Sequence, residues 1–405
     1  MDSDFFMLLT ILVFLIILSI LVLIHELGHF FVAKKLGIKV EEFGFGFPPR
    51  ALSFKKGETV YSINWLPIGG FVKLYGEDEA GGGQVKSSKL KVKSYDERAF
   101  FSRPPWQKAL VVVAGVLMNT ILAIVIFYTF LFISGFKTQM PIHPLTPDHK
   151  FFGVNQKNVS DVVVGEVVEN SPAEKAGMTP FVKIISVDRK ETKSLENFIE
   201  IINSRKGEAT EIVWQDLKTN ETKRSTLVPR ETPPKDEGAL GVSLFSMSTA
   251  VLEYQTPLQK TFSGVTHPTN LLVYNFKIIG ELARVSIERK TIEPVSQGVA
   301  GPVGIASVTS TILGIQDIKE RVLQLLNLTG ILSVSLAFFN ILPIPALDGG
   351  RLFFILIEVV TRKKVNPNVE AMAHRIGLAI LMILIVFVTF QDFQKLFSGF
   401  FSPIQ

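Results

Sequence analysis

Uncharged apolar residues gather in four long runs along this chain, at residues 5–24, 109–135, about 322–342 and 371–390. Each reaches the length of about 20 residues that a helix needs to cross a bilayer. The pattern predicts four membrane-spanning helices. The first run stays apolar to Ala33, broken only by Thr10, Ser19 and a polar cluster at residues 25–29. As one helix, residues 5–33 would extend about 43 Å, more than the ~30 Å hydrocarbon core. The polar cluster therefore belongs towards one end of the span. Asp2 and Asp4 stand where a secretory leader would be basic, and no small-residue cleavage site follows, so this run reads as a retained helix.

The stretches between the runs differ in kind. Residues 34–108 hold 14 Lys/Arg against 8 Asp/Glu, which predicts a cytoplasmic loop and an N-terminus outside. Within it, residues 42–49 read as a Gly/Pro-punctuated apolar turn. Residues 60–74 read as two short strands around Pro67-Ile68-Gly69-Gly70. Their aromatic and β-branched density predicts a β-hairpin dipping into the membrane beside the first span, with a small cytoplasmic β-domain as the alternative. Residues 77–94 are rich in Gly, Lys and Ser and read as a mobile linker.

Residues 137–230 carry mixed, charged sequence with ordinary turns and read as a soluble α+β module outside the cytoplasm. Strands are expected at 162–168, 183–188, 210–214 and 222–228, and an amphipathic helix at 194–203 capped by Ser194. Residues 231–237 form a Pro- and charge-rich linker. Residues 238–298 are ambiguous, with helical patterns at 258–262 and 271–288 that suit a membrane surface. The third run ends at Asn340, and Pro343 and Pro345 stop its helix. Asp348 is then expected on an extended segment ahead of a helix at 351–360. Arg351, Arg362, Lys363 and Lys364 return this region to the cytoplasmic side, at the level of His29. The resulting division is 1–35, 36–108, 109–136, 137–230, 231–300, 301–348 and 349–405.

Composition agrees with this layout. Of 405 residues, 47% are hydrophobic, too many and too unevenly spread for one soluble domain. The formal net charge of +5 is crowded into particular loops and reads as a topology signal, not as a nucleic-acid footprint. The chain has no cysteine, which excludes disulfides and thiolate-bound metal.

The polar cluster is Ile24-His25-Glu26-Leu27-Gly28-His29, an H-E-x-x-H motif. On a helix His25 and His29 lie one turn apart on one face, where two imidazoles can hold one Zn²⁺ and Glu26 can activate a zinc-bound water. Ionisable groups inside a span are costly to keep for packing alone. Catalytic zinc usually takes three protein ligands. Asp348, expected at the same depth, is the third candidate; an Asp-Gly-Gly helix cap is its alternative, and His374 is the other candidate ligand. Gly115 and Asn119 on the second span suit either helix packing or a part in the site. Asn340 is suited to hydrogen-bond an opened substrate backbone, and the hairpin at residues 60–74 to pair with it. A receptor or scaffold with a structural metal site is the competing class, but such sites are normally closed by four ligands. A third reading is a membrane protease that cuts soluble loops.

Taken together, His25-Glu26-Leu27-Gly28-His29, Gly115 with Asn119, Gly301-Pro302-Val303-Gly304 and Asn340-x-x-Pro-x-Pro-x-Leu-Asp-Gly-Gly resemble the site-2 intramembrane zinc metalloproteases of the bacterial RseP type. The order of motifs matches from end to end. The resemblance implies Zn²⁺ held by His25, His29 and Asp348 and Glu26 as catalytic base; Asn340, Pro343, Pro345, Gly69 and Gly70 are the candidate substrate contacts. It implies single-pass membrane protein substrates, such as trimmed anti-sigma factors or remnant signal peptides, in a bacterial inner membrane. Residues 163–167 and 171–178 resemble a PDZ domain, which in this family faces the periplasm as a size filter. One such unit is found where the best-known relatives carry two, and Thr179-Pro180-Phe181-Val182 replaces the usual Gly-Asp turn. Peptide capture and a steric plug both remain open for it. The segment at 231–300 resembles the part that gates substrate. The fold expected is thus a polytopic α-helical membrane protein of about four transmembrane helices, with a membrane-associated β-hairpin and an inserted extracytoplasmic PDZ-like α+β domain.

Overall fold

The structure, a computed structural model, describes residues 3–77, 97–192, 194–217, 221–235, 237–363 and 365–397. The linker expected at 77–94 lies outside them except for Glu77. The chain forms two compact units, one from residues 1–135 and 261–402 and one from 136–260.

The first unit begins with α1 (Ser3–Lys35), a helix of 33 residues. It continues through β1 (Val40–Lys56), β2 (Thr59–Leu74) and α2 (Pro105–Ile133). After the insertion come α5 to α10, of which α8 (Ile318–Ile341) and α10 (Pro367–Phe397) are long and apolar. Among the described residues, α1, α2, α8 and α10 are the helices long and apolar enough to cross a membrane. Helices satisfy their own backbone hydrogen bonds, which is what such apolar sequence requires in lipid. This unit is that of a polytopic membrane protein.

β1 and β2 form one sheet, but not as the hairpin expected at residues 60–74. Phe43 lies opposite both Tyr61 and Val72, and Phe45 opposite both Ile63 and Gly70. Two stretches of β2 therefore flank residues 42–45 instead of pairing with each other. The apolar face explains the interleaving. Val40 and Leu74, with Phe43, Tyr61 and Val72, pack onto Phe30 and Ala33 at the end of α1. A lone hairpin would leave part of that face open. Residues 42–49, expected as a turn, belong to β1. The outer stretch exposes Leu52, Phe54, Ile63, Trp65 and Leu66.

Asp348 is the first residue of α9 (Asp348–Thr361), not part of an extended segment. Extended Leu347 caps that helix. A Cβ on Gly349 would strike the Leu342 and Ile341 carbonyls, and one on Gly350 the Ile344 carbonyl. The two glycines let α9 start directly against the Pro343–Pro345 loop.

The ambiguous 238–298 region resolves into two parts. Residues 242–253 form β9 (Val242–Glu253) of the inserted unit. The rest begins with one long helix, α5 (Pro257–Arg289), which runs through Pro268. Gly264 of α5 sits against Ile124 and Tyr128 of α2, and Phe276 packs on Phe338 of α8 with ring centroids 4.5 Å apart. Then follow α6 (Glu293–Gln297) and α7 (Pro302–Gly314). The Gly301-Pro302-Val303-Gly304 motif opens α7, and the Gly301 and Gly304 N–H groups donate to the fully buried carboxylate of Asp392 on α10 at 3.2 and 2.8 Å.

The inserted unit is a β domain. Its seven strands are β3 (Lys137–Ile142), β4 (Asn155–Val167), β5 (Val182–Val187), β6 (Lys190–Glu191), β7 (Thr210–Asp216), β8 (Thr222–Leu227) and β9. The order is β3-β9-β4-β5-β7-β8, with β6 on β5. Two helices join it, α3 (Pro172–Lys175) and α4 (Leu195–Ser204). Ser194 accepts from the Asn197 amide and caps α4, which places Phe198 and Ile202 in a core with Trp214, Val162, Ile184 and Ile212. The unit extends past the boundary expected at 230, because β9 pairs between β3 and β4 across most of 137–167. Phe181 takes φ +63° in the turn that lacks the Gly-Asp pair.

Candidate metal centre

His25 and His29 are buried on one face of α1. Their Nε2 atoms lie 3.1 Å apart, and Asp348 Oδ2 is 2.9 Å from the first and 3.2 Å from the second. These three side chains form a group able to hold one metal ion, with all donor atoms within 4.8 Å of one another. Two imidazole nitrogens and a carboxylate oxygen are a donor set that suits zinc and leaves a coordination position for water. The residues present therefore fit the ion.

α2 shapes the other side. Gly28 of α1 sits on the Ala114 carbonyl, and a Cβ on Gly115 would run into both imidazoles. The missing side chain at Gly115 is thus the space that the histidine rings occupy. His29 Nδ1 donates to the Val111 carbonyl at 2.8 Å, which leaves the Nε2 lone pair facing His25 and Asp348. Asn119, fully buried, brings its amide nitrogen to 3.4 Å from His25 Nδ1. Ser333 of α8 donates to the Asn119 carbonyl at 2.8 Å. Val111 was not singled out from sequence, although its spacing of four from Gly115 and of eight from Asn119 marks one helical stripe.

Other expected residues fall around this group. A Cβ on Gly70 would come within 3.6 Å of Glu26 Cγ, so this end of β2 lies beside Glu26. Gly69 takes φ +81° against the Phe47 ring. Asn340 lies in the last turn of α8, and Pro343 and Pro345 in the loop that delivers Asp348; none of the three is among the converging donors. His374 is outside the group too, because its Nδ1 accepts from the Ala346 amide at 2.9 Å and fixes that same loop. Sequence reasoning missed the partner of Arg351: this side chain, one turn past Asp348, forms an ion pair with Glu77. Glu77 in turn accepts from the Leu74 amide at 3.2 Å, so α9 is tied to the end of β2.

A histidine pair and a carboxylate that could hold a metal ion thus converge in a unit of apolar, membrane-length helices. The chain belongs to peptidase family M50, the site-2 protease family, whose model matches residues 13–384. It is 32% identical to a Clostridium perfringens protein named provisionally as a zinc metalloprotease, over 93% of this chain and 96% of that one. It is 27% identical to the regulator of sigma-W protease RasP of Bacillus subtilis, over 96% and 99% of the two chains. Against the zinc metalloprotease RasP of Geobacillus kaustophilus the figures are 28%, 95% and 97%. The protein is a multi-pass bacterial membrane zinc metalloprotease.

Proposed function

We propose that this chain cuts single-pass membrane proteins within the bilayer, with Zn²⁺ held by His25, His29 and Asp348. The convergence of their three donor atoms between membrane helices is the observation that carries this reading. The bound ion supplies Lewis-acid polarisation of the scissile carbonyl and lowers the pKa of water. Glu26, next to His25 on α1 and beside Gly70, takes a proton from the attacking water and passes it to the leaving amine nitrogen. A substrate helix must open its own hydrogen bonds before its backbone can be cut. The Gly69–Gly70 end of β2 and Asn340 offer groups to hold the opened strand. Pro343 and Pro345 position Asp348 and border that strand.

The basic loop at 34–108 supports an orientation with the metal site towards the cytoplasmic side and the N-terminus and the inserted β domain on the periplasmic side. That domain is PDZ-like. Residues 242–247 of β9 pair with β4 on one side, while β3 reaches only Ser248 on the other. This edge is the place where a peptide or a substrate ectodomain would be met. Anti-sigma-factor-like proteins trimmed by a first protease, or remnant signal peptides, are the substrate class.

The test uses one detergent preparation of wild type, Glu26→Gln and Asp348→Asn, assayed for zinc content and for cleavage of a membrane substrate. Zinc retained without cleavage in Glu26→Gln, and zinc lost in Asp348→Asn, is the expected pattern. Cleavage surviving in Glu26→Gln would remove the catalytic assignment. A substrate whose cleavage site is shifted along its transmembrane helix separates cutting in the membrane from cutting of exposed loops.

A further inference from the structure

We infer that Asn119 is a positioning residue that fixes the tautomer of His25, an assignment that rests on the metal-site reading above. His25 Nε2 faces Asp348 and His29, so Nδ1 is the nitrogen turned away from the donors, towards Asn119. An imidazole that gives its Nε2 lone pair to a metal carries its proton on Nδ1 and needs an acceptor there. The Asn119 side-chain oxygen is buried without a hydrogen-bond partner, while its nitrogen lies 3.4 Å from His25 Nδ1. A half-turn of the amide lets Oδ1 accept from His25 Nδ1–H and moves the amide nitrogen to the place the oxygen left.

The packing supports the assignment independently. His29 already has this arrangement, with Nδ1 on the Val111 carbonyl. Val111, Gly115 and Asn119 recur every four residues on α2, so one stripe supplies an acceptor for His29, the space for both rings and an acceptor for His25. Asn119 is 0% exposed, which keeps it from touching substrate. The Ser333 hydroxyl on its carbonyl pins the α2 backbone there to α8.

The experiment measures zinc affinity of the full-length protein in detergent by chelator competition, for wild type, Asn119→Leu, Asn119→Asp and His25→Ala. Leu and Asp both branch at Cγ with the same number of heavy atoms, but only Asp offers an acceptor. A loss of about 10- to 100-fold in Asn119→Leu, with affinity near wild type in Asn119→Asp, is expected from the usual effect of removing an outer partner of a ligand histidine. Melting temperature is measured in parallel, and Asn119→Asp is decisive if Asn119→Leu does not fold: Asp must then hold zinc. Wild-type affinity in a folded Asn119→Leu, or equal losses in Leu and Asp, would overturn the role of Asn119 while His25→Ala still emptied the site. Zinc retained by His25→Ala would overturn the metal-site reading itself, and this inference with it.

Discussion

Gly115 on α2 lies against the His29 imidazole so closely that a methyl group on it would overlap the ring at Nε2. The residue is therefore part of the site by virtue of having no side chain. Gly115→Ala must push both rings away from Asp348. Its zinc affinity is expected to fall at least about 10-fold, on the scale of other changes to the surroundings of a metal ligand. Metal analysis of purified protein checks this, and unchanged affinity would show that α1 and α2 can separate at no cost to the site.

Gly70 gives the opposite signature. A Cβ there would crowd the Gly44 carbonyl of β1 at 3.1 Å and then meet Glu26 and Val22, with none of the three converging donor atoms among its nearest neighbours. Gly70→Leu is expected to keep zinc and to cut cleavage at least about 10-fold, since misplacing a proton-transfer group typically costs 10²–10⁴ in rate. Parallel zinc and cleavage assays decide it. Loss of zinc would instead indicate that β2 braces α1.

The exposed aromatic face of the sheet predicts lipid contact. Trp65 is 71% exposed between Ile63 and Leu66, which are also exposed. In a Trp106→Phe background, brominated lipids should quench Trp65, because Trp214 is buried in the inserted unit. Fluorescence insensitive to brominated lipid would place this face in water.

Topology can be read without removing any native residue, since the chain has no cysteine. With single cysteines at Lys55 and Lys190, an impermeant maleimide added to intact spheroplasts should label only the second. The positive-inside distribution of Lys and Arg is the warrant. Labelling of Lys55→Cys before lysis would reverse the orientation.

Asp392 is fully buried and accepts from two backbone amides at the start of α7. Asp392→Ala leaves both without this acceptor, at a cost of about 2–6 kcal/mol by the usual penalty for two buried unsatisfied groups. The melting temperature should fall measurably, whereas Asp392→Asn, which keeps one acceptor oxygen, should fall less. Equal melting temperatures for wild type and Asp392→Ala would show that another group takes the two amides.

What the sequence determined by itself is local. Four apolar runs predicted spanning helices because lipid leaves an apolar chain few other ways to satisfy its backbone. His25 and His29 fall on one face because a helix repeats every 3.6 residues, whatever surrounds it. Ser194 could be read as a cap for the same reason. What only the tertiary structure decided lies between distant residues. Asp348 reaches His25 across 323 positions, and nothing periodic along the chain measures that distance. The stretches of β2 flank β1 because their shared face packs on Phe30 and Ala33 of α1, a surface that turn residues do not encode. β9 joins its sheet from beyond the linker, since strand pairing is satisfied by edges in space and not by neighbours in sequence. Gly115 and Asn119 were visible as small and polar positions on an apolar helix. Their contacts with two imidazoles followed only once α2 was laid against α1.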